Sequence, residues 1–221
     1  MNETRGRDEF NGMDEYNRQL IHIPILHCPA DMGTLREGLE DAYVKQFGRR
    51  RWKEHVVLIE EFWQTVRTEL EELDLNYHCV DLYQDGLPVC GKELQIAEET
   101  AAKGSENYQL LMELVAKGAT LIRTEEPKLL LQEYRSIKKG LASKLGKDHS
   151  AMGASAGSAE ILTKRDAYIG QRIGKTLMPG RTGILFLGMM HKVDLHLPGD
   201  ILIMSLNLDI AGNRDKDNRC G

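Results

Sequence analysis

"GILFLGMMHKVD", residues 183–194, decides how the chain is built. Its first part is an apolar run without polar alternation, which reads as a strand covered on both faces, the habit of parallel sheets. Gly188, Met189, Met190 and His191 come next. Just upstream, Tyr168, Ile169, Ile173 and Leu177 recur at helical spacing within 161–180. A helix leading into a buried strand is half of a βα crossover.

The same alternation runs outward from this unit. "LIHIPILH" (20–27) is a β-branched run and a strand candidate, in which Pro24 favours an edge, a bulge or an early end to pairing. From Leu35 to Leu73 the spacing of Trp52, Val56, Ile59, Phe62, Val66 and Leu70 is helical, with a break expected at Gly48. "NYHCVDLY" (76–83), "ATLIRT" (119–124) and "DILIMSLN" (200–207) read as further strands. Between the second and third lie two helices, the first closed by Gly104, the next capped by Ser105 and closed by Gly118. Pro127 suits the first turn of another helix. The expected fold is therefore α/β: one doubly wound domain over 20–210, with a mostly parallel sheet of about five strands. Residues 1–19 and 211–221 read as flexible ends, and the small-residue stretch 140–160 as a loose segment able to act as a lid.

Composition narrows the function. The chain has 221 residues, 41% hydrophobic and 29% charged, with a net charge of −5. A net negative chain is unsuited to general binding of a nucleic-acid backbone. "GRRRW" (48–52) reads as a solvated helix face or loop, with binding of a phosphate or acidic partner as the alternative. No stretch approaches the roughly 20 apolar residues of a membrane span. The beginning of the chain has no apolar core of a signal peptide. Four cysteines are scattered without a Cys-x-x-Cys pair, as expected of reduced thiols in the cytoplasm.

Ligands of an open parallel sheet bind beyond the carboxyl ends of its strands. The residues just past each strand are polar: His27, Cys28 and Asp31 after the first, and Gln84 and Asp85 after the second. Arg123, Glu125 and Glu126 stand after the third, and Gly188 and His191 after the fourth. His27 and His191 are candidate metal ligands or a base with its electrostatic partner, and Asp85 is the candidate carboxylate. Asp31, Gln84, Arg123 and Gly188 are candidate substrate contacts. Arg165, beside Asp166 in the helix before the fourth strand, is either half of a surface ion pair or a guanidinium that holds an anionic or carbonyl group. Cys28 is poorly placed for activation by His27, since adjacent residues of an extended strand face opposite ways. His191 is expected to carry little packing at a pocket mouth.

Residues 164–191 resemble the closing segment of a superfamily that includes the Tiki metalloproteases, the TraB proteins, the haem-binding ChaN proteins and the erythromycin esterases. In those, an Arg-Asp or Arg-Asn helix precedes a strand ending Gly-x-x-His, and Arg165, Gly188 and His191 match that pattern. The family also has a histidine at the end of its first strand, usually as Gly-x-x-His, whereas His27 follows "IPIL" without that glycine. The resemblance implies a hydrolase, metal-dependent where a divalent ion is shared by His27 and His191. It would act on an ester, amide or phosphoester of a small molecule or peptide. The alternative is a non-catalytic domain that senses a small anionic ligand at the same sheet edge, for which a homo-oligomer and a movable element would be expected.

Overall fold

A computed structural model describes residues 18–28, 30, 31, 33, 36–144, 156–206 and 208. Five parallel strands form one sheet: β1 (Arg18–Ile25), β2 (Val80–Gln84), β3 (Thr120–Ile122), β4 (Thr182–Gly188) and β5 (Ile201–Ser205), in the order β3-β2-β4-β1-β5. Among the described residues six helices accompany them: α1 (Arg36–Phe47), α2 (Arg49–Glu72), α3 (Glu93–Ala102), α4 (Glu106–Ala116), α5 (Pro127–Lys144) and α6 (Ala156–Thr176). The α/β class and the parallel sheet are those the sequence predicts.

Alternate residues of each strand feed two cores. Ile21, Ile23, Leu82, Ile184 and Phe186 pack under α2, α3 and α4, through Phe62, Trp63, Val66, Leu111 and Leu114. Leu20, Tyr83, Leu185 and Leu187 pack on the other face under α6, through Ile169, Ile173 and Leu177. Covering both faces explains the absence of polar alternation in β4, whose burial is continuous from Gly183 to Leu187. The faces follow from handedness. Crossovers β1→β2 and β2→β3 step one way along the sheet and cover the first face. β3→β4 and β4→β5 step back and must therefore cover the second.

Local signals hold closely. Gly48 separates α1 from α2 with φ +86°, a conformation other residues rarely adopt. The Ser105 hydroxyl accepts a hydrogen bond from the Tyr108 N–H at the start of α4, and Pro127 opens α5. Pro24 is not at an edge: β1 lies between β4 and β5. It does end pairing early on one side, since β1 pairs with β5 only as far as His22 and with β4 as far as Ile25. The missing N–H of proline thus falls where no partner strand remains.

The stretch 140–160 is partly helix: residues 140–144 belong to α5 and 156–160 to α6, while 145–155 lie outside the described residues. Of the ends expected to be flexible, 1–19 and 211–221, residues 18 and 19 belong instead to β1, and the rest lie outside the described residues, as do 209 and 210. Among the described residues no helix is long and apolar enough to cross a membrane.

α2 shapes the approach to the carboxyl edge. At about 1.5 Å per residue its 24 residues span about 36 Å, far more than the strands beneath it. Its buried side chains all lie between Ile59 and Leu70, and the Trp63 indole N–H donates to the Leu26 carbonyl just past the end of β1. Residues 49–58, with α1 against them, therefore project beyond the carboxyl edge, and Arg49, Arg50 and Arg51 are exposed there.

Candidate functional site

Strand order places a crevice at the end of β4. The chain leaves β4 toward the α6 face, while it leaves both neighbours, β1 and β2, toward the opposite face. Neighbouring strands whose connections part in this way leave an opening at their carboxyl ends. His27 follows β1, Asp85 follows β2 and His191 follows β4, so all three flank that opening. Ile25 and Gly188 are register partners, which sets His27 and His191 at the same end of adjacent strands.

Arg165 is the hub. Its side chain is 4% exposed. Nε donates to Glu125 Oε2 at 2.6 Å, Nη2 to Glu125 Oε1 at 2.6 Å and to Asp85 Oδ1 at 2.5 Å, and Nη1 to Glu133 Oε2 at 2.5 Å. Four of the five N–H groups of a guanidinium thus point at the protein's own carboxylates. The surface ion pair with Asp166 is not formed, and the expected grip on a substrate is replaced by a grip on Asp85, Glu125 and Glu133. Arg165 fixes the site and stands behind it.

His191 is held by the next residue of α6. Its Nδ1 lies 2.5 Å from Asp166 Oδ1, and the other Asp166 oxygen accepts the Lys192 N–H at 3.0 Å. An acceptor at Nδ1 fixes the proton there and leaves the Nε2 lone pair free. Nε2 lies 3.6 Å from Asp85 Oδ2. The ring does not stand loosely at a pocket mouth: the side chain is 4% exposed. The turn that carries it is drawn close to α6 at Gly170, where a Cβ would stand 2.7 Å from the His196 carbonyl oxygen. His196 is accordingly part of a short 3-10 turn, Val193–His196, packed on α6.

Gly188 has a steric reason to be glycine. Its N–H donates to Asp85 Oδ2 at 3.1 Å, and a Cβ there would lie 3.2 Å from that oxygen and 3.6 Å from His191 Cδ2. Gly188→Val is expected to displace Asp85 and His191 and to lower activity by more than about tenfold, since misplacement of this kind is costly to catalysis. The melting midpoint should move by only a few degrees, because β-branched residues suit strands. Equal loss of both would show that Gly188 serves packing alone.

His27 faces Asp31 with Nδ1 3.7 Å from Oδ2, and its side chain is 44% exposed. Desolvation lowers its pKa, but Asp31 and the Asp85 charge outweigh that and hold it above the usual histidine value. Asp31 itself accepts hydrogen bonds from the Cys28 N–H at 2.8 Å and from the Ser105 hydroxyl. It therefore ties the loop after β1 to the start of α4. Gln84 is buried, with Nε2 donating to the Asp85 carbonyl and Oε1 without a partner among the described residues. Arg123 does not join the cluster: it is 57% exposed and lies 3.5 Å from Glu93. Cys28 is buried with its pKa raised, first by desolvation, and Cys90 is exposed.

Neither Asp166 nor Glu133 is a site residue by its position in the sequence. A signal for the first is present nonetheless: Arg165 and Asp166 stand four and three residues before Ile169, on the apolar stripe of α6, where a solvated pair does not belong.

The carboxylates titrate apart. Burial pushes Asp85 up, but Arg165, His191, a hydrogen bond with Glu125 and His27 together hold it down at about 2. Burial pushes Glu125 up, and with the Asp85 charge beside it the Arg165 hydrogen bonds only partly offset this, leaving it at about 7. A raised folded pKa contributes stability that is lost as pH rises, here between 4.5 and about 7. The melting midpoint of the wild type should therefore fall more between about pH 5 and about pH 8 than that of Glu125→Gln. Parallel profiles for the two proteins would refute a shared proton at Glu125.

Compared with models of known protein families, with curated proteins and with solved structures, this chain matches none.

Proposed function

We propose that the chain is a hydrolase that cleaves an ester, amide or phosphoester of a small molecule or peptide, with His191 as its general base. One observation carries this reading: the His191 ring is clamped through Nδ1 to Asp166, with Nε2 3.6 Å from Asp85 Oδ2. In the proposed step Nε2 takes a proton from water as the water oxygen attacks the carbonyl carbon or phosphorus. Asp166 stabilises the imidazolium that forms, and the proton passes to the departing oxygen or nitrogen. His27, held toward its cationic form, faces the negative charge that develops on the attacked group. Arg165 acts as a positioning residue by holding Asp85. The resemblance of residues 164–191 to the Tiki, TraB, ChaN and erythromycin-esterase superfamily supports the same class of reaction.

A divalent ion shared by His27 and His191 is a separate proposal. Among the described residues no three His, Cys, Asp or Glu side chains are grouped to hold a metal. The Asp166 carboxylate at His191 Nδ1 leaves Nε2 as the nitrogen that would face such an ion, and Asp85 keeps Oδ2 beside it. Elemental analysis of protein purified without added metal tests for the ion. A stoichiometric divalent ion, held by His27 and His191, would supply the activation of water in place of the His191 base.

The sensing alternative calls for an anionic ligand. Around the crevice stand Asp31, Asp85, Glu125, Glu133 and Asp166 against one guanidinium already paired with three of them. His27, held toward its cationic form, stands with them, and an anion bound there without turnover would favour this reading. The hydrolase reading is tested with p-nitrophenyl acetate, acetanilide and p-nitrophenyl phosphate, each against wild type and His191→Ala. Turnover by neither protein on any of the three sinks it.

A further inference from the structure

A pocket of about 300 Å³ opens on the α6 face of β4, β1 and β5, beneath the 3-10 turn, and ends at His191. Leu20, Val193 and Ile203 form apolar walls. Its polar groups are His22 in the middle of β1, Asp194 on the turn and Ser205 at the end of β5. The His22 Nε2 atom is buried and has no hydrogen-bond partner among the described residues. Burial holds the His22 pKa below the usual value, against the pull of the Leu187 backbone and the Asp194 charge. A neutral ring whose Nδ1 carries the proton presents Nε2 as an acceptor. An unsatisfied buried acceptor is costly unless something donates to it.

We propose that this pocket receives the apolar portion of the substrate, and that His22 Nε2 accepts a hydrogen bond from an N–H group of that portion. The chemical class is thus a small apolar compound bearing an amide or amine N–H. The size follows from the volume, which lies at the lower end of ligand pockets. The apolar part follows from the leucine, valine and isoleucine walls. The N–H follows from the two groups inside that accept and cannot donate, a neutral Nε2 and a carboxylate. Calling the occupant a substrate rests on the hydrolase reading, because His191 closes the pocket; the recognition of an N–H donor by His22 does not.

The test uses full-length protein with ¹⁵N-labelled histidine and three probes: benzamide, N,N-dimethylbenzamide and benzoate. Benzamide is expected to shift the His22 Nε2 resonance and to bind about tenfold more tightly than its dimethyl analogue, the effect of one good hydrogen bond. Benzoate should not compete. His22→Phe should abolish the difference between the two amides, and Ile203→Trp, on the edge strand, should fill the pocket and abolish binding of both. If His22→Phe fails to fold, the comparison of the two amides on wild type still decides. Equal binding of the two amides, or benzamide binding without a His22 response, overturns the proposal, as does absence of benzamide binding. Benzamide binding through His22 in a protein that turns over none of the three hydrolysis substrates would instead sink only the hydrolase reading. Retention of benzamide binding in His191→Ala, with hydrolysis lost, supports both.

Discussion

Asp166→Asn is expected to lower hydrolysis by about 10²- to 10⁴-fold while the protein stays folded, the range ascribed to a positioned general base. The carboxylate accepts from His191 Nδ1–H and leaves Nε2 free to take a proton. An asparagine can donate its amide N–H to Nδ1 instead, which forces the proton onto Nε2 and removes the base. The Lys192 N–H can still be accepted by the amide oxygen, so the turn keeps its anchor to α6. His191→Ala should lose at least as much activity. Because its ring is buried it should also cost about 1–3 kcal/mol of stability, more than a loose loop histidine would. Initial rates and urea midpoints measured on both variants separate the effects. An Asp166→Asn protein that hydrolyses at the wild-type rate would remove His191 from the role of base.

Arg165→Leu should cost about 3–5 kcal/mol of stability, the usual consequence of removing one partner from a buried ionic group. Asp85 and Glu125 would be left facing each other without a cation, and Glu133 would lose its partner as well. Protonation of Glu125 would soften the cost, so the loss should be smaller at low pH and larger above about 7. Arg165→Lys should recover little, since one ammonium cannot reproduce a planar fork shared by three carboxylates. Urea denaturation at two pH values measures this. If Arg165 served the substrate instead, Arg165→Leu would raise KM and leave the denaturation midpoint in place.

Much of the fold was legible along the chain because local rules operate over a few residues. The helix break at Gly48, the Ser105 cap, the first-turn Pro127 and the continuous apolar run of β4 each follow from nearest-neighbour chemistry. His27, Asp85, Gly188 and His191 were readable as site candidates for a related reason: each stands at or just past a strand end, and parallel strands bring all such ends to one edge. Arg123 shares that position yet turns outward to Glu93, since a loop side chain is directed by its own local partners and not by its place after a strand.

The class of the fold, its strands and helices in order, and the sheet edge at which ionisable residues gather can be read along the chain. Which of those residues meet depends on how distant elements pack. Strand order depends on crossovers that span tens of residues and on their handedness, and it alone sets β4 between β1 and β2. It also turned Arg165 from a candidate substrate grip into the internal partner of Asp85, Glu125 and Glu133, residues 80, 40 and 32 positions away. Which carboxylates face a guanidinium is a matter of packing between α6, α5 and the strand ends. A buried charge must be matched wherever the chain supplies an opposite one, and no local pattern records that match.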